Sequence, residues 1–442
     1  MFPTNFKERR EKLLNTLTDA IAIIPGATHV TKSHDTEYPF RQNSNFKYLT
    51  GFNEPDSILV LTSYPDKKSI LFVREKDPFM EMWSGRRMGP DKALEILEVD
   101  ETYTVEKFPE MIEKLLLGHE KLYMDLFDEP KTFAMVRDIC KKLYHRKKTR
   151  ASSPPKNFFH VNPLIEKMRL VKDQNEIQFM KTAMIATNKA HRAAMALAAP
   201  GRNEKEINAL MQYLFTKDLS QGNAYDNIIA SGDNANILHY IENNAELKDG
   251  DLLLIDAGSE LNLYATDITR TFPVNGKFTT VQAEVYEIVL EAQKTAISHA
   301  WIGRTLKEVH EHTCRVLTQG LIDLKVLKGS VDENIETAAF RKYYPHGTGH
   351  WLGLDVHDQN PYQTDEYEET KFEDGVIFTV EPGLYFPKSD ATLPEHLRGI
   401  GIRIEDNILI TQNGHENLSA MIPKEIKEIE EACAKDYKEF LL

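Results

Sequence analysis

The chain has 442 residues, of which 41% are hydrophobic and 28% are charged, a balance typical of a globular protein rather than a disordered or fibrous one. Its formal net charge of −14 argues against nucleic acid and anionic membranes as partners, because polyanions attract basic surfaces. The three cysteines are widely spaced and form no CxxC pair, which argues against a disulfide framework or a thiolate metal site and fits a reducing compartment.

The first segment, "MFPTNFKERREKLLNTLTDA", predicts an amphipathic helix. It lacks the apolar core and the cleavage-like site of a secretory signal. No run in the chain approaches the roughly 18 apolar residues of a membrane-spanning helix. We therefore expect a cytoplasmic protein without a membrane partner.

Residues 20–150 alternate short apolar runs such as "AIAIIPG" and "SILVLTS" with helical stretches, a pattern that predicts a mixed α/β unit. The segment "SSPPKNFFHVNP", residues 152–163, then interrupts the pattern with three prolines, and proline stiffens a connector. The chain is therefore predicted to contain an amino-terminal domain, residues 1–165, and a second domain, residues 166–442.

The second domain shows a repeated order of elements. Two long helical patterns precede the strand-like segments "NIIASG", "DLLLIDAG" and "YATDITRTFPV", and two further helical patterns precede "GVIFTVEPGLYF" and "GIGIRIEDNILIT". Each helix pair is joined by Gly-Arg, at Gly201-Arg202 and at Gly303-Arg304. This faint internal duplication predicts an α+β domain built from two similar halves.

Four acidic residues lie in the strand-like segments of this domain. Asp256 and Asp267 belong to two apolar strands joined by a glycine loop, and Glu381 ends a third apolar strand. In "GIGIRIED" the period of two places Arg403 and Glu405 on the same face. Each acid taken alone is better explained as a strand-end residue paired with a lysine, an arginine or a backbone amide.

The four acids together indicate bound cations. If they converged without a cation, two carboxylates about 4 Å apart would repel by roughly 4 kcal/mol at an effective dielectric constant of ~20. Some of them would then have to stay protonated. Two divalent cations balance four negative charges and leave room for a bridging hydroxide, so the sequence predicts a dinuclear site.

The stretch "YYPHGTGHWLGLDVHD", residues 343–358, contains His346, His350 and His357. The first two are four residues apart, as in a zinc-binding HExxH helix, but the intervening glycines disfavour a helix and the required glutamate is missing. A histidine in apolar sequence is usually a buried structural residue. Spacing alone does not select a metal ligand among the three.

Five segments in order, "DLLLIDAG", "YATDITRTFPV", "HGTGHWLGLDVHD", "TVEPGLYF" and "GIGIRIED", resemble the pita-bread metallopeptidases, specifically the aminopeptidase P group. The segments "EYPFRQNSNFKYLTGFNEPDS" and "MWSGRRMGP" resemble that group's amino-terminal domain, so the likeness covers nearly the whole chain. It implies a carboxy-terminal pita-bread domain of two pseudo-symmetric halves after a smaller α/β domain.

The resemblance also implies roles for individual residues. It makes five residues ligands of two divalent cations, most readily Mn²⁺ with Co²⁺ or Zn²⁺ as possible occupants: Asp256, Asp267, His350, Glu381 and Glu405. It makes a further group catalytic or substrate-binding: His239, His346, His357, Tyr385, Arg403, Asp35 and Trp83. Because Trp83 is expected to reach a neighbouring subunit's active site, the resemblance also implies a homo-oligomer, a dimer or a tetramer.

The implied reaction removes the first residue of a peptide whose second residue is proline. A hydroxide bridging the two metals attacks the carbonyl before proline, Glu381 manages the proton, and His357 and one metal stabilise the oxyanion. The nearest alternative is a prolidase, which shares the fold but cleaves only dipeptides. Metal-free pita-bread binding modules and creatinase-like enzymes are disfavoured because all five ligand positions are filled.

Overall fold

The computed structural model describes residues 5–127, 130–146, 153–217 and 220–441. The chain divides into two compact units, Met1–Arg169 and Leu170–Leu442. The boundary between residues 165 and 166, proposed from the sequence, stays a prediction. Within the described residues, no helix combines the length and the apolar character needed to cross a membrane.

The first unit is built on a mixed β-sheet. Its strands are β1 (Ala20–Pro25), β2 (Thr31–Ser33), β3 (Thr36–Glu37), β4 (Ile58–Thr62), β5 (Lys68–Val73), β6 (Glu101–Thr104), β7 (Lys121–Met124) and β8 (Asn157–His160). Its helices are α1 (Phe6–Thr16), α2 (Ser44–Thr50), α3 (Pro78–Ser84), α4 (Gly89–Ile96), α5 (Phe108–Leu115), α6 (Pro130–His145) and α7 (Asn162–Arg169).

Six of these strands form one sheet in the order β6-β5-β4-β1-β7-β8, while β2 and β3 form a separate hairpin. Strand β4 runs antiparallel to β1 and β5, and the remaining neighbours in the sheet are parallel. Apolar side chains of β1, β4 and β5 pack against α5 and α6 in one buried cluster. The apolar runs of the sequence correctly predicted these three strands.

The proline-rich segment differs from the expected connector. Residues 157–160 form β8, which pairs in parallel with β7 at the edge of the sheet, and α7 follows directly. Residue 152 lies outside the described part. Proline supplies no amide hydrogen for a sheet ladder, and the prolines of the segment flank β8 instead of interrupting it.

The second unit repeats one order of elements, as its sequence predicted. The first half contains α8 (Gln174–Leu197), α9 (Glu204–Lys217), β9 (Ile228–Ser231), β10 (Leu252–Asp256), β11 (Glu260–Leu261), β12 (Tyr264–Ala265) and β13 (Thr269–Pro273). The second half contains α10 (Thr280–Ser298), α11 (Leu306–Asp323), α12 (Val331–Glu336), β14 (Ile377–Val380), β15 (Gly383–Phe386), β16 (Ile400–Arg403), β17 (Asp406–Thr411), β18 (Gly414–Asn417) and α13 (Ile426–Cys433).

The two Gly-Arg links make equivalent contacts. Gly201 and Gly303 both have positive φ angles, +85° and +87°. The amide of Gly201 donates to Leu247 O and the amide of Gly303 donates to Phe372 O, each at 2.9 Å. The carbonyl of the arginine that follows accepts from the same leucine or phenylalanine, each at 2.7 Å. The two halves of the unit therefore share a local backbone design, which supports the predicted duplication.

The main apolar core of the second unit lies between its helices and strands. Leu253 and Ile255 of β10 belong to this core, whereas Leu254 points into a second buried cluster with Ile228 and Tyr240. Both faces of β10 are thus buried, which explains the uninterrupted apolar run "LLLI". A strand covered on both faces is a rigid support for the acid at its end.

Candidate metal centre

Asp256 and Asp267 are brought together by a close approach of backbone. Asp256 ends β10, whereas Asp267 lies between β12 and β13 and not within a strand as the sequence indicated. Gly258 permits this arrangement, because a Cβ there would lie only 1.7 Å from the carbonyl oxygen of Thr266. The loop after Asp256 can therefore pack directly against the backbone that leads into Asp267.

The glycines of "HGTGH" place His350 against β14. A Cβ on Gly349 would lie 1.8 Å from the carbonyl oxygen of Thr379, so only glycine allows this contact. The amide of Thr379 donates to His350 O at 2.9 Å, and the amide of His350 donates to Thr379 Oγ1 at 3.1 Å. The His350 ring is fixed as well, because its Nδ1 lies 3.0 Å from Trp351 O and donates to it. Its Nε2 is then directed at the carboxylates.

Glu381 and Glu405 both occupy strand ends. Glu381 lies between β14 and β15, and its amide donates to Thr348 O at 2.7 Å. Strand β16 ends at Arg403, so Glu405 lies in the short link to β17 instead of continuing the strand as predicted. Arg403 and Glu405 nevertheless face the same space. Side chains at the ends of separate strands can meet at one point, whereas side chains spaced along a single strand cannot.

These side chains line one cavity of about 220 Å³. Nε2 of His350 lies 3.3 Å from Asp267 Oδ2 and 3.7 Å from Glu381 Oε1. One donor atom each from Asp267, His350 and Glu405 lie within 4.8 Å of one another. The cavity brings together most of the residues that the sequence pointed to: His239, Asp256, Asp267, His346, His350, His357, Glu381, Arg403 and Glu405.

The acids of the cavity strongly perturb one another. Burial raises the pKa of Glu381 to about 7, against the opposing effect of the charge of His350. Burial, together with the charges of Asp267 and Glu381, raises the pKa of Glu405 well above its usual range. Burial also raises the pKa of Asp256, although the neighbouring Arg403 acts in the opposite direction. The protein alone therefore does not hold all four acids ionised at neutral pH.

His350 and Asp267 behave as a hydrogen-bonded pair. Burial acts to lower the pKa of His350, but the hydrogen bond to Asp267 and the charge of Glu381 outweigh it and raise the pKa to about 9. Burial acts to raise the pKa of Asp267, and the partner histidine again outweighs it, so that the pKa is lowered. Binding of a cation to His350 must therefore release this proton.

Arg403 connects the acids to Tyr385. Its Nη2 donates to Asp256 Oδ2 at 2.7 Å, and its Nη1 donates to Tyr385 Oη at 2.9 Å. Its Nε donates to Thr269 Oγ1 at 3.1 Å, and this hydroxyl donates to Glu405 Oε2 at 2.7 Å. The guanidinium thus fixes one acid directly and a second through a hydroxyl.

The three histidines beside the acids differ in the contacts that their rings make. His346 is the middle of a chain in which Tyr385 Oη donates to its Nε2 at 2.8 Å and its Nδ1 donates to Gly347 O at 2.7 Å. Burial and the charge of Arg403 lower the pKa of His346 to about 3, so this ring is neutral. The ring of His357 lies edge-on to that of His350, with centroids 4.4 Å apart. His239 is exposed at the cavity.

Two predicted site residues belong to the first unit. Asp35 lies in the exposed turn between β2 and β3, and Trp83 lies on α3 with 75% of its surface exposed. Their places in an active site stay predictions.

Sequence analysis missed residues that hold the acids in place. The hydroxyl of Tyr225 lies 2.6 Å from Asp256 Oδ1 and 2.5 Å from Asp267 Oδ1. Tyr225 stands in an irregular loop, and no pattern in that segment could have pointed to it. Asn407 clasps Asp267, since its Oδ1 accepts from the Asp267 amide at 3.0 Å and its Nδ2 donates to the Asp267 carbonyl at 2.5 Å. The period of two that places Arg403 and Glu405 on one face extends to Asn407, so this residue could have been found from the sequence.

The arrangement fits a divalent metal. Four carboxylates and one imidazole form an oxygen-rich donor set, which suits hard or borderline divalent cations rather than soft thiophilic ones. The tautomer of His350 set by Trp351 leaves Nε2 as its donor atom. Cations would also neutralise the acids whose pKa values are raised in the protein alone. Residues Asp256, Asp267, His350, Glu381 and Glu405 could hold them.

A buried cluster of acids and a histidine on an α+β domain of two similar halves fits the pita-bread metallopeptidases that the sequence resembles. Residues 178–412 match the model of metallopeptidase family M24, and residues 6–123 match that of the aminopeptidase P, N-terminal domain. The chain belongs to metallopeptidase family M24. This confirms the expected family and the fold that the resemblance implied.

Curated and solved relatives cover the chain almost completely. A Xaa-Pro aminopeptidase of Haemophilus influenzae is 42% identical over 96% of each chain. The structure of Pseudomonas aeruginosa aminopeptidase PepP matches with a TM-score of 0.95, 39% identity and 99% coverage of both chains. A Zn-substituted Escherichia coli aminopeptidase P in complex with product matches with a TM-score of 0.93, 42% identity and 97% coverage of both chains.

Proposed function

We propose that the protein is a metal-dependent aminopeptidase that hydrolyses the bond between the first residue of a peptide and a proline in second position. The observation that carries this proposal is the convergence of Asp256, Asp267, His350, Glu381 and Glu405 on one cavity. The chain is similar over nearly its full length to Xaa-Pro aminopeptidases. A cavity of about 220 Å³ is smaller than the roughly 300–1,000 Å³ of typical small-molecule pockets, so it suits the end of a chain.

The five donor residues would hold two divalent cations. Manganese is the proposed natural occupant because oxygen donors with a single imidazole suit it. The Zn-substituted Escherichia coli relative supports the view that this type of site accepts more than one metal. When bound, such cations lower the pKa of water and polarise a carbonyl group.

Glu381 is the proposed proton carrier. Its carboxyl group lines the cavity, and a carboxyl group close to the attacked bond can both accept and donate a proton. The bond before proline has a leaving nitrogen without an amide hydrogen, so this nitrogen must gain a proton as it departs. A carboxyl group in the position of Glu381 can take a proton from the attacking water and return it to that nitrogen.

The surrounding polar residues are proposed to orient the peptide. His357 and His239 are proposed to donate hydrogen bonds to the carbonyl oxygen that becomes negative, where fixed donors contribute most. Neutral His346 lines the cavity and accepts a hydrogen bond from the buried Tyr385, and we assign this side of the cavity to the side chain of proline. Arg403 opposes the rise in the pKa of Asp256 and donates hydrogen bonds to Asp256 and to Tyr385. The free amino group of the substrate finds its counter-charge in the acids.

Prolidase is the second candidate, because it uses the same fold and donor set. A tripeptide Xaa-Pro-Xaa and the dipeptide Xaa-Pro separate the two functions when both are supplied to manganese-loaded protein. We expect kcat/KM to be higher for the tripeptide. Cleavage of the dipeptide with no turnover of the tripeptide would assign the protein as a prolidase.

Oligomer formation is proposed from the surface of the first unit. Helix α3 has no buried residue, although four of its seven residues are large and apolar. Phe79, Met82 and Trp83 are exposed by 64%, 78% and 75% of their surfaces. Exposed apolar helices of this kind mark interaction sites. Trp83 is proposed to contact the substrate of a neighbouring subunit and Asp35 to bind near its amino end, so the assembly is a dimer or tetramer.

A reducing, cytoplasmic location is part of the proposal. All three cysteines carry free thiols, and burial raises the pKa of Cys140 to about 11 and those of Cys314 and Cys433 to about 12. The fold therefore uses no disulfide. Cell fractionation with an antibody against the protein tests this location, and recovery outside the cytoplasm would contradict it.

A further inference from the structure

His239 lies on a loop that borders the cavity. The His239 loop, residues 232–244, connects β9 to the segment before β10, and His239 is exposed where this loop reaches the cavity. Within the described ranges, no side-chain hydrogen bond holds its imidazole ring. The backbone of the loop therefore decides where this side chain starts and which part of the cavity the ring can reach. Contacts that fix this backbone keep the ring within reach of the cavity.

A buried carboxylate fixes the start of the loop. Glu204 is the first residue of α9 and has no exposed surface. Its Oε1 accepts hydrogen bonds from the amide of Ser231 at 2.8 Å and from the Ser231 hydroxyl at 2.7 Å. A third bond comes from Asn234 Nδ2 at 3.2 Å. One carboxylate oxygen thus gathers the residues just before and inside the loop.

The other oxygen of the same carboxylate fixes the end of the loop. Oε2 of Glu204 accepts from the hydroxyl of Tyr240 at 2.9 Å and from the amide of Ala245 at 2.8 Å. Tyr240 directly follows His239 in the chain and is itself buried. The five hydrogen bonds to Glu204 therefore enclose His239 from both sides.

These bonds are stronger than ordinary loop contacts. Every donor is a neutral group, and among the described residues no lysine, arginine or histidine forms an ion pair with Glu204. Hydrogen bonds to an ionised acceptor are about twice as strong as those between neutral groups. The position at the start of α9 helps to stabilise the charge, because a helix amino terminus favours an anion. A favourable position at the start of a helix does not explain why the hydrogen-bond donors to Glu204 come from both ends of the His239 loop.

We propose that Glu204 is a positioning residue that holds the His239 loop so that His239 faces the substrate. The inference rests on the proposed role of His239 in peptide turnover. It adds a residue that touches neither the substrate nor the proposed metal ligands and acts only through His239. A purely structural role would instead affect stability without depending on His239.

A double-mutant cycle on the metal-loaded enzyme distinguishes these roles. We expect Glu204→Gln to lower kcat/KM for an Xaa-Pro-Xaa tripeptide by about 10-fold to 100-fold, because small displacements of a catalytic group have effects of that size. The amide group of glutamine has nearly the size of the carboxylate that it replaces. Its NH2 group is a hydrogen-bond donor, however, and it would face the donors of the His239 loop. In protein that already carries His239→Ala, the same change should lower kcat/KM by less than about twofold. Equal losses in both backgrounds would overturn the proposal.

A milder pair of variants covers the case in which Glu204→Gln does not fold. Tyr240→Phe removes a single buried hydroxyl from the carboxylate, and Tyr286→Phe removes a matched buried hydroxyl that donates to Lys424 O at 2.7 Å. Tyr240→Phe should lower kcat/KM severalfold only when His239 is present. Tyr286→Phe should leave kcat/KM unchanged, and an equal loss from both tyrosine changes would contradict the proposal.

Hydrogen exchange of the metal-free protein supplies a readout that needs no activity. Glu204→Gln should speed exchange of amides in residues 232–244 while leaving β10 and β13 protected. Unchanged exchange in the loop would refute the inference. If His239→Ala itself leaves turnover intact, the proposed role of His239 fails, and the exchange result still decides whether Glu204 holds the loop.

Discussion

Neutralising Glu405 should stabilise the metal-free protein. Its side chain is 1% exposed, and a carboxylate oxygen lies within 4.8 Å of the donor atoms of Asp267 and His350. Glu405→Gln preserves the size of the side chain and an oxygen that can accept from the Thr269 hydroxyl. The change removes a negative charge that, without cations, is unfavourable because it is buried and lies near Asp267 and Glu381.

The size of the effect follows from the geometry. The charges of Glu405 and Asp267, whose donor atoms lie within 4.8 Å of each other, repel by about 3 kcal/mol at an effective dielectric constant of ~20. If the chain takes up a proton instead, burial and the charges of Asp267 and Glu381 raise the pKa of Glu405 well above its usual range, and each unit of such a rise costs about 1.4 kcal/mol of stability. Both routes therefore destabilise the metal-free protein at neutral pH. Because the folded pKa is raised, this cost is absent below pH 4.5 and grows as the pH rises.

Urea unfolding of chelated protein at pH 4.5 and at pH 7 measures this cost. The free energy of unfolding of the Glu405→Gln variant should exceed that of the unchanged chain by roughly 3 kcal/mol at pH 7 and equal it at pH 4.5. Manganese at 1,000 times its Kd should then reverse the order, because ligand at that concentration stabilises the intact site by about 4.1 kcal/mol. The variant lacks one donor and should gain less.

Asp406 provides a matched control at the next position in the chain. Its carboxylate lies 2.7 Å from Arg270 and 2.6 Å from Lys424, and their charges keep its pKa well below the usual range although burial acts in the other direction. Asp406→Asn should therefore destabilise the chelated protein by about 3–5 kcal/mol. The reasoning is refuted if both changes shift stability in the same direction, or if the gain from Glu405→Gln is as large at pH 4.5 as at pH 7.

Three further changes test other parts of the second unit. Lys172→Met removes the charge 3.2 Å from Asp358, both 1% exposed, and should cost roughly 3–5 kcal/mol in urea unfolding, which the double change Lys172→Met/Asp358→Leu should largely restore. Burial lowers the pKa of His191 from 6.5 to about 3, so stability should rise by up to roughly 5 kcal/mol between pH 3 and pH 6.5, and His191→Gln should flatten that rise. Arg403→Lys keeps the charge but loses the fork that reaches Tyr385 and the acids, so kcat/KM should fall by about 10-fold to 100-fold; unchanged kinetics would remove Arg403 from the site.

Much of the architecture follows from patterns that act locally. Apolar alternation and runs predicted β1, β4, β5 and β10, and capping boxes such as Thr279 with Gln282 and Thr305 with Glu308 mark where α10 and α11 begin. The repeated Gly-Arg links predicted the two halves, because a tight turn between helices needs a positive φ angle at the glycine.

The acidic residues of the candidate site could be predicted from the sequence, but most of the residues that hold them in place could not. Asp256, Glu381 and Glu405 follow apolar strands, and the cost of burying such groups signals a shared purpose. The choice of His350 among three histidines depended on the family resemblance. Tyr225 and Glu204 were not predictable, because their partners come from distant segments that only the tertiary fold brings together.

The stoichiometry of metal activation tests the central claim most directly. Manganese is added stepwise to chelated protein, and the rate of hydrolysis of an Xaa-Pro-Xaa tripeptide is followed against metal bound per chain. We predict no turnover without metal and a rate that saturates at two bound ions, the number that balances four carboxylates. Full turnover by the chelated protein, or activation by manganese that survives Asp267→Ala, would contradict the account.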